Sequence, residues 1–260
     1  AKTMKPKILQ HLETMGFVTF DGEYDLNIIG FRSASEVTNV FNDKIIIVYR
    51  HAGEWQQAEF PITTDAGAYW LLNPSRVQGT AIVVHDKQYR SVWSIGKHRG
   101  KYEALVQTGP IKVWRDNTKD LIIDFEGPEI EGYYGINCHK SGERGSTIVN
   151  KWSAGCMVFA NPTHFNAFMN LCRYQVRAGH GDKFSFTLLH EKTLKKLESG
   201  EYSPKDKKCQ VKDSSSPSKS LKSSSPSSKK RSKPSKKPAT RKATAAKKSP
   251  KKKPSKSPKK

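Results

Sequence analysis

The sequence predicts a mostly β fold of the α+β class for about the first 200 residues, followed by a basic tail without a fold of its own. Three observations predict it. Strand-length runs of β-branched residues, such as Lys44–Arg50 and Thr80–His85, recur before residue 130. One long amphipathic helix pattern follows at residues 162–179. From Tyr202 onward, apolar side chains are too few to build a core.

The elements follow in chain order. Residues 6–15 predict a helix with Pro6 in its first turn and Gly16 at its end. The runs Ile111–Trp114 and Leu121–Phe125 flank a turn-like segment and predict a hairpin. Residues 184–188 alternate like a strand, and a short helix is expected at residues 191–198. The helix at 162–179 carries one apolar stripe, formed by Phe165, Phe168, Met169, Cys172 and Val176.

The net charge of +22 is unevenly distributed along the 260 residues. The segment from Tyr202 to Lys260 holds 22 Lys and Arg against two acids, and eight of the 14 prolines. The rest holds 24 basic and 22 acidic side chains, a charge of +2. We therefore expect a globular part (1–200) followed by a disordered basic tail (201–260).

The chain has four cysteines, and their spacing matches neither a zinc site nor a dense disulfide framework. No metal or cofactor is expected, and the cysteines are expected to stay free. The N-terminal residues lack the apolar core of a signal peptide, and no segment is apolar enough to span a membrane. We expect a protein that is not secreted by the usual route and does not enter a membrane. The oligomeric state stays open.

His139 and Cys156 are the leading candidates for chemistry. His139 closes the apolar run Tyr133–His139, which predicts a strand, and Cys156 stands 17 residues later, after a glycine, at the start of another. Neighbouring strand ends would place an imidazole beside a thiol, the pairing that nucleophilic catalysis uses. The alternative is that Cys156 is a buried, unreactive cysteine.

These residues resemble the L,D-transpeptidase catalytic domain, a β-sandwich or barrel with a packed helix. The similarity lies in Gly135–His139 and Ser153–Met157, and more weakly in Phe60–Tyr69, and it covers about residues 60–189. It implies a catalytic domain at residues 60–200, preceded by an N-terminal helix and strands at residues 1–59. The resemblance implies that Cys156 is the nucleophile and His139 its base. It also implies that the amides of Gly155 and Cys156 form an oxyanion hole and that Ser153 holds the loop.

The same resemblance implies a substrate, a peptide of the peptidoglycan type, and a reaction in which a thioester passes to an amine or to water. A carbonyl of Lys140 or Ser141 would orient the imidazole. The chain departs from the family pattern at Ala154, where the family usually has His, and at Val158, where it usually has Arg or Asn. Arg144, in the glycine-rich loop between the two motifs, completes the candidate substrate-binding set of Arg144, Ala154, Lys140 and Ser141.

Two weaker patterns have ordinary explanations. The basic segment Lys97–Lys101 has the composition of a site for an anionic group, such as a substrate carboxylate, but a solvated basic turn is the more common structure for it. Asp116, Asp120 and Asp124 lack the glycine and glutamate of a calcium loop, which favours a hairpin turn.

The tail contains Ser-Pro-Lys-Lys units and resembles the C-terminal tail of linker histones. Its charge predicts sequence-independent, salt-sensitive binding to double-stranded DNA through residues 202–260, although an anionic wall polymer would attract it as well. The basic clusters that represent this site are Lys229, Lys230, Arg231, Lys236, Lys237, Arg241, Lys251, Lys252 and Lys253.

Two functional hypotheses follow. The first is a cysteine-dependent acyl-transfer enzyme with a DNA-binding tail, carried in a virion or associated with a nucleus or nucleoid. The second is a DNA-binding or virion structural protein that keeps the fold without the activity. The two hypotheses differ at Cys156.

Overall fold

The computed structural model describes residues 3–204, and the basic tail beyond Pro204 lies outside that range. The helices are α1 (Lys7–Thr14), α2 (Ala68–Leu72), α3 (Pro162–Arg177) and α4 (Glu191–Ser199). The strands are β1 (Asn27–Arg32), β2 (Asp43–His51), β3 (Glu54–Thr63), β4 (Thr80–Val83), β5 (Lys87–His98), β6 (Tyr102–Gln107), β7 (Ile111–Asp116), β8 (Ile130–Gly132), β9 (Cys138–Lys140), β10 (Met157–Phe159) and β11 (Lys183–His190).

Eight of these strands close into a barrel in the order β1-β11-β5-β6-β9-β10-β3-β2, and β4, β7 and β8 form a separate sheet. Within the barrel, β1 pairs with β11 and β9 pairs with β10 in parallel, while the other neighbours are antiparallel. The prediction of a mostly β fold is confirmed. The predicted disorder of the tail concerns residues outside the described range.

The strand β2 is apolar on both faces because both faces are covered. Ile45 and Ile47 belong to the main core, which barrel strands, the three-stranded sheet and α3 share. Ile46 and Val48 face the opposite way, into a second cluster with Leu9 and other residues of α1 and α4. Such a sandwiched strand is expected to be a continuous apolar run rather than an alternating one.

The helix α3 begins at the predicted residue. Pro162 occupies its first turn, and the side chain of Asn161 accepts the amide of Thr163 at 2.8 Å as an N-cap. The predicted stripe from Phe165 to Cys172 is buried in the main core. The prediction that Val176 belongs to this stripe is wrong, because its side chain is 39% exposed. Gln175 is buried instead and binds the backbone of Leu26 and Lys183.

The predicted hairpin at residues 111–125 is wrong. The strand β7 pairs with β4 and β8, and residues 121–125 are not a strand. The side chain of Asp116 accepts the hydroxyl of Thr118 at 3.0 Å and the amide of Asp124 at 3.0 Å. These local bonds hold the segment as a loop and replace the strand ladder.

The predicted strand Tyr133–His139 is also shorter than expected, since only its last two residues belong to β9. Gly135 has φ +66°, which strands do not use. The side chain of Gln107 accepts the amides of Tyr134 at 3.1 Å and Ile136 at 2.9 Å. One glutamine side chain thus takes the place of a neighbouring strand.

The expected boundary at residue 60 falls inside β3, and β1 and β2 belong to the same barrel as the later strands. The described residues lie in one compact unit. Within residues 3–204, no helix has the length and apolar character that crossing a bilayer would require.

Candidate active site

The parallel strands β9 and β10 bring the two candidate residues to neighbouring segments. His139 pairs with Val158, and Cys156 directly precedes β10. Residues in register share a face of a sheet, and so do residues two apart on one strand. Cys156 and His139 are therefore on the same face, while Cys138 is on the other and packs in the main core.

Ser153 fixes the loop that carries the thiol. Its side chain is fully buried, and its hydroxyl donates to the carbonyl of Cys156 at 2.8 Å. The same hydroxyl oxygen accepts the amide of Gly155 at 3.1 Å. The carbonyl of Ser153 accepts the amide of Gly67 at 2.9 Å. The segment Phe60–Tyr69, the weaker motif of the sequence, therefore contacts the loop directly.

Gly155 has to be a glycine. Its φ of +122° is rarely open to other residues, and a Cβ there would lie 2.5 Å from the carbonyl oxygen of Ala81. The amide of Gly155 is occupied by Ser153. Within residues 3–204 we find no acceptor for the amide of Cys156, which makes it the better candidate for an oxyanion hole.

The imidazole of His139 is held by a backbone carbonyl. Its Nδ1 lies 2.9 Å from the carbonyl oxygen of Lys140. A carbonyl only accepts, so Nδ1 carries the proton and Nε2 keeps a free lone pair. The hydroxyl of Tyr102 donates to the same carbonyl at 3.2 Å and lies 3.4 Å from Nδ1. Tyr102 thereby fixes the group that orients the histidine.

A second imidazole lies against the first. The rings of His98 and His139 stack with centroids 3.9 Å apart. Asn137 connects His98 to the thiol: its side-chain amide lies 3.0 Å from His98 Nδ1, and its backbone amide donates to Cys156 Sγ at 3.4 Å. His98, His139, Asn137 and Cys156 thus form one connected cluster with Tyr102.

Burial sets the protonation of the pair. The pKa of His139 is lowered to about 3, first by burial and then by repulsion from the neighbouring His98 and Arg99. Burial raises the pKa of the Cys156 thiol, against the opposing effects of the Asn137 amide and Arg99. At neutral pH the histidine is therefore neutral and the cysteine is a thiol. The pair is suited to general-base activation rather than to a standing thiolate–imidazolium ion pair.

The thiol is enclosed. Cys156 is 9% exposed, and its sulfur donates to the carbonyl of Gly135 at 3.4 Å. Within residues 3–204, no hydrogen bond joins Sγ to His139. Cavities of about 530 and 470 Å³ are present in the molecule, but other residues line them. Attack on a substrate requires the thiol to turn from Gly135 toward the imidazole.

The other predicted residues take different positions. Arg144 is exposed in the loop between β9 and β10, and Ala154 is half-buried. The ammonium of Lys140 pairs with Glu143 at 2.8 Å, so only its carbonyl serves His139. Ser141 binds the backbone of Phe159 and Ala160 and thereby anchors the loop to β10.

Sequence reasoning missed Tyr102, His98 and Asn137. His98 ends β5, and the basic segment around it forms the β5–β6 turn, with positive φ at Arg99 and Gly100. Asn137 stands inside the Gly135–His139 motif, two residues before His139. The pairing of β6 with β9 brings Tyr102 and His98 to the site, and no spacing in the sequence reveals it.

No protein-family model, curated protein or solved structure matches this chain. The likeness to L,D-transpeptidases rests on the motifs alone, and membership of that family stays a prediction. Within residues 3–204, no group of three or more His, Cys, Asp or Glu side chains is arranged to hold a metal ion.

Proposed function

We propose that this protein is a cysteine-dependent acyl-transfer enzyme that forms a thioester at Cys156. One observation carries the proposal: His139 Nδ1 is held at 2.9 Å by the Lys140 carbonyl, on the strand next to the loop that Ser153 fixes around Cys156. A histidine oriented by a backbone acceptor, beside a thiol on a braced loop, supplies the base and the nucleophile of such a reaction once the thiol turns toward the imidazole.

The chemistry follows from these positions. As Sγ attacks the substrate carbonyl, its proton passes to Nε2 of His139. The carbonyl oxygen becomes an oxyanion, which the amide of Cys156 stabilises. The intermediate collapses to a thioester, and the leaving amine takes the proton from His139. Water or a second amine then attacks the thioester, with His139 accepting its proton and returning it to the sulfur.

We further propose a peptide of the peptidoglycan type as the acyl donor. This step rests on the motif resemblance at Gly135–His139 and Ser153–Met157. Positive charge near the site agrees with a donor that carries a carboxylate, since Arg99 is close enough to affect both His139 and Cys156.

Intact-mass spectrometry after incubation with a carbapenem, an acylating β-lactam, tests the nucleophile. We expect a single adduct on the full chain and none on Cys156→Ala. Cys172→Ala is the matched control, because Cys172 is a buried cysteine of α3 away from the loop. An adduct that persists in Cys156→Ala, or its absence from a natively folded wild type, contradicts the proposal.

A second candidate function is favoured by the enclosure of the thiol. A cysteine that is 9% exposed, with a raised pKa and no hydrogen bond to His139, also suits a scaffold without activity. Such a scaffold would leave Cys156 unreactive toward both the carbapenem and iodoacetamide. The same mass experiment therefore separates the two functions.

We also propose that the tail binds double-stranded DNA without sequence preference. Its basic residues would neutralise phosphates and release counterions, so the logarithm of affinity should fall with the logarithm of salt by about 0.9 per phosphate contacted. Replacing the nine representative Lys and Arg residues with Gln in the full chain should lower affinity and flatten this slope. Unchanged affinity and slope would assign DNA binding elsewhere.

A further inference from the structure

A fully buried arginine organises a second polar cluster, outside the candidate active site. Arg32, at the end of β1, donates to the Thr64 hydroxyl at 3.0 Å and the Thr64 carbonyl at 3.0 Å. It also donates to the carbonyl of Val83 at 2.7 Å and lies 3.1 Å from Nδ1 of His85. These contacts with the protein fix the position of the guanidinium.

Two carboxylates share that single positive charge. Both oxygens of Asp43 are occupied, by the amide of Ser33 at 2.7 Å and by the amide and hydroxyl of Thr64. Asp65 Oδ1 lies 2.9 Å from Arg32 Nε, but the Nε–H points to Thr64. Among the described residues, this buried oxygen has no hydrogen-bond donor. Such an oxygen is costly to bury without a partner.

Asp65 lines a cavity of about 470 Å³, which we call the Asp65 cavity. Asp43 and His190 line it as well, and one wall is apolar, formed by Ile122, Ile123 and Phe125. Its rim carries one exposed charge of each sign, on Glu36 and Lys192. The volume is within the range of small-molecule sites.

The neighbouring histidines add no charge to this cavity. Burial and the nearby Arg32 lower the pKa of His190 to about 4 and that of His85 still further. Burial, only partly offset by Arg32, raises the pKa of Asp65 to about 7. Once Asp65 ionises, Asp43 and Asp65 together exceed the charge of Arg32 by one. The Asp65 carboxylate that lines the cavity then gives it a net negative charge.

We propose that the Asp65 cavity binds a primary ammonium group, with Asp65 as its counter-ion and the wall of Ile122, Ile123 and Phe125 around its alkyl stem. An ammonium supplies one positive charge to balance the Asp65 carboxylate and N–H donors that can bind it. The inference does not depend on Cys156 being a nucleophile.

The test uses the full chain and two-dimensional NMR titration at about pH 8, where Asp65 is ionised. The probes are n-butylammonium and its neutral analogue n-butanol. We expect saturable shifts of amides around residues 64–65, 122–125 and 190 with butylammonium. Butanol should bind at least about tenfold more weakly, because it lacks the charge-assisted bond. Equal affinity, or no saturable shift with butylammonium, overturns the proposal.

Two variants locate the contacts. Asp65→Asn should weaken butylammonium binding about tenfold or more, whereas Asp182→Asn, at an exposed aspartate outside the cavity lining, should not change it. Asp65→Asn also removes a charge from a buried ion pair and could disturb the fold. Ile122→Ser is therefore a second, independent test, because the Ile122 side chain is 70% exposed. It should weaken binding of butylammonium but not of methylammonium. A folded Asp65→Asn protein with unchanged affinity overturns the proposal, as does an Ile122→Ser protein that binds butylammonium unchanged.

A free alkylamine and a lysine side chain present the same ammonium group. Titration with Nα-acetyl-lysinamide beside butylammonium distinguishes the two sources. Tighter binding of the lysine analogue assigns the cavity to a lysine side chain of a peptide, and tighter binding of butylammonium assigns it to a free amine. Failure of both to bind overturns the proposal.

Discussion

The imidazole rings of His98 and His139 stack in parallel, with centroids 3.9 Å apart and 16° between their planes. Two charged imidazoles would repel strongly at this distance, so the stack favours neutral rings. Burial, then Arg99 and Lys101, lowers the pKa of His98 to about 4, while the pKa of His139 falls to about 3. Burial, together with the stack, therefore keeps His139 in its neutral, proton-accepting form at neutral pH.

We predict that His139 stays neutral from about pH 5 to about pH 8, since its pKa is about 3. The ¹⁵N chemical shifts of its ring should keep the pattern of a neutral imidazole with the proton on Nδ1 over that range. His11, a partly exposed histidine of α1, is the internal reference for a ring away from this cluster. A full protonation step for His139 near pH 6 would contradict the prediction.

Alkylation of Cys156 should accelerate as the pH rises through neutrality and above. The thiolate is the reactive form, and burial raises the pKa of this thiol. Iodoacetamide labelling followed by peptide mass analysis gives the rate at each pH. A rate that is already at its plateau at neutral pH would mean that a standing ion pair with His139 exists.

Ser153→Ala should destabilise the protein by about 1–3 kcal/mol, because it removes the buried hydroxyl that binds both Cys156 and Gly155. It should also slow acylation of Cys156. Ser146→Ala is the matched control, since its hydroxyl makes a bond within an exposed turn of the same loop. Chemical denaturation provides the free energy of unfolding, and equal losses in both variants would contradict the prediction.

Gly155→Ala should lower the free energy of unfolding more than Gly179→Ala does. Both positions have positive φ, +122° and +88°, so both variants carry a backbone penalty of about 1–3 kcal/mol. Only at Gly155 would the new Cβ meet a backbone oxygen, 2.5 Å away on Ala81, whereas Gly179 has open space. Denaturation of the two variants measures the difference. Similar losses of unfolding free energy in the two variants would contradict the prediction. They would mean that the loop around Gly155 moves away from Ala81 without cost.

Asp65→Asn should raise the free energy of unfolding relative to the wild type. This gain should be larger at about pH 8 than at about pH 5. The folded pKa of Asp65 is raised from 3.8 to about 7, so the folded state binds more protons than the unfolded state between these values. The carboxyl therefore favours folding at low pH, and this contribution is lost as the pH rises through about 7. Asparagine has no such dependence. Unfolding in denaturant at both pH values tests the sign.

Elements defined by local pattern could be predicted from the sequence. The apolar run of β2 and the Asn161-Pro162 start of α3 are examples, because β-branched runs and helix caps act within a few residues. The segment at 121–125 could not be predicted, because the side chain of Asp116 decides its conformation through two hydrogen bonds. In the same way, Gln107 replaces a strand next to Tyr134.

At the candidate site, the position of His139 and Cys156 on neighbouring segments could be inferred from spacing and motif. The contribution of Tyr102 could not, because it depends on β6 lying beside β9, a contact between strands far apart in the chain. The Asp65 cavity could not be predicted from the sequence for the same reason. Arg32, Asp65 and His190 lie on three separate segments, and nothing local in the sequence marks Arg32 as buried.

The closure of the barrel through β1 and β11 has a consequence for biosynthesis. β1 ends at Arg32, and its parallel partner begins at Lys183, so about 150 residues leave the ribosome between them. Until β11 emerges, β1 has only β2 as a neighbour and presents an unpaired edge. The barrel can close only when nearly all of the described chain has been made. The backbone edge of β1 therefore stays open to wrong pairing until the last strand of the barrel has been made.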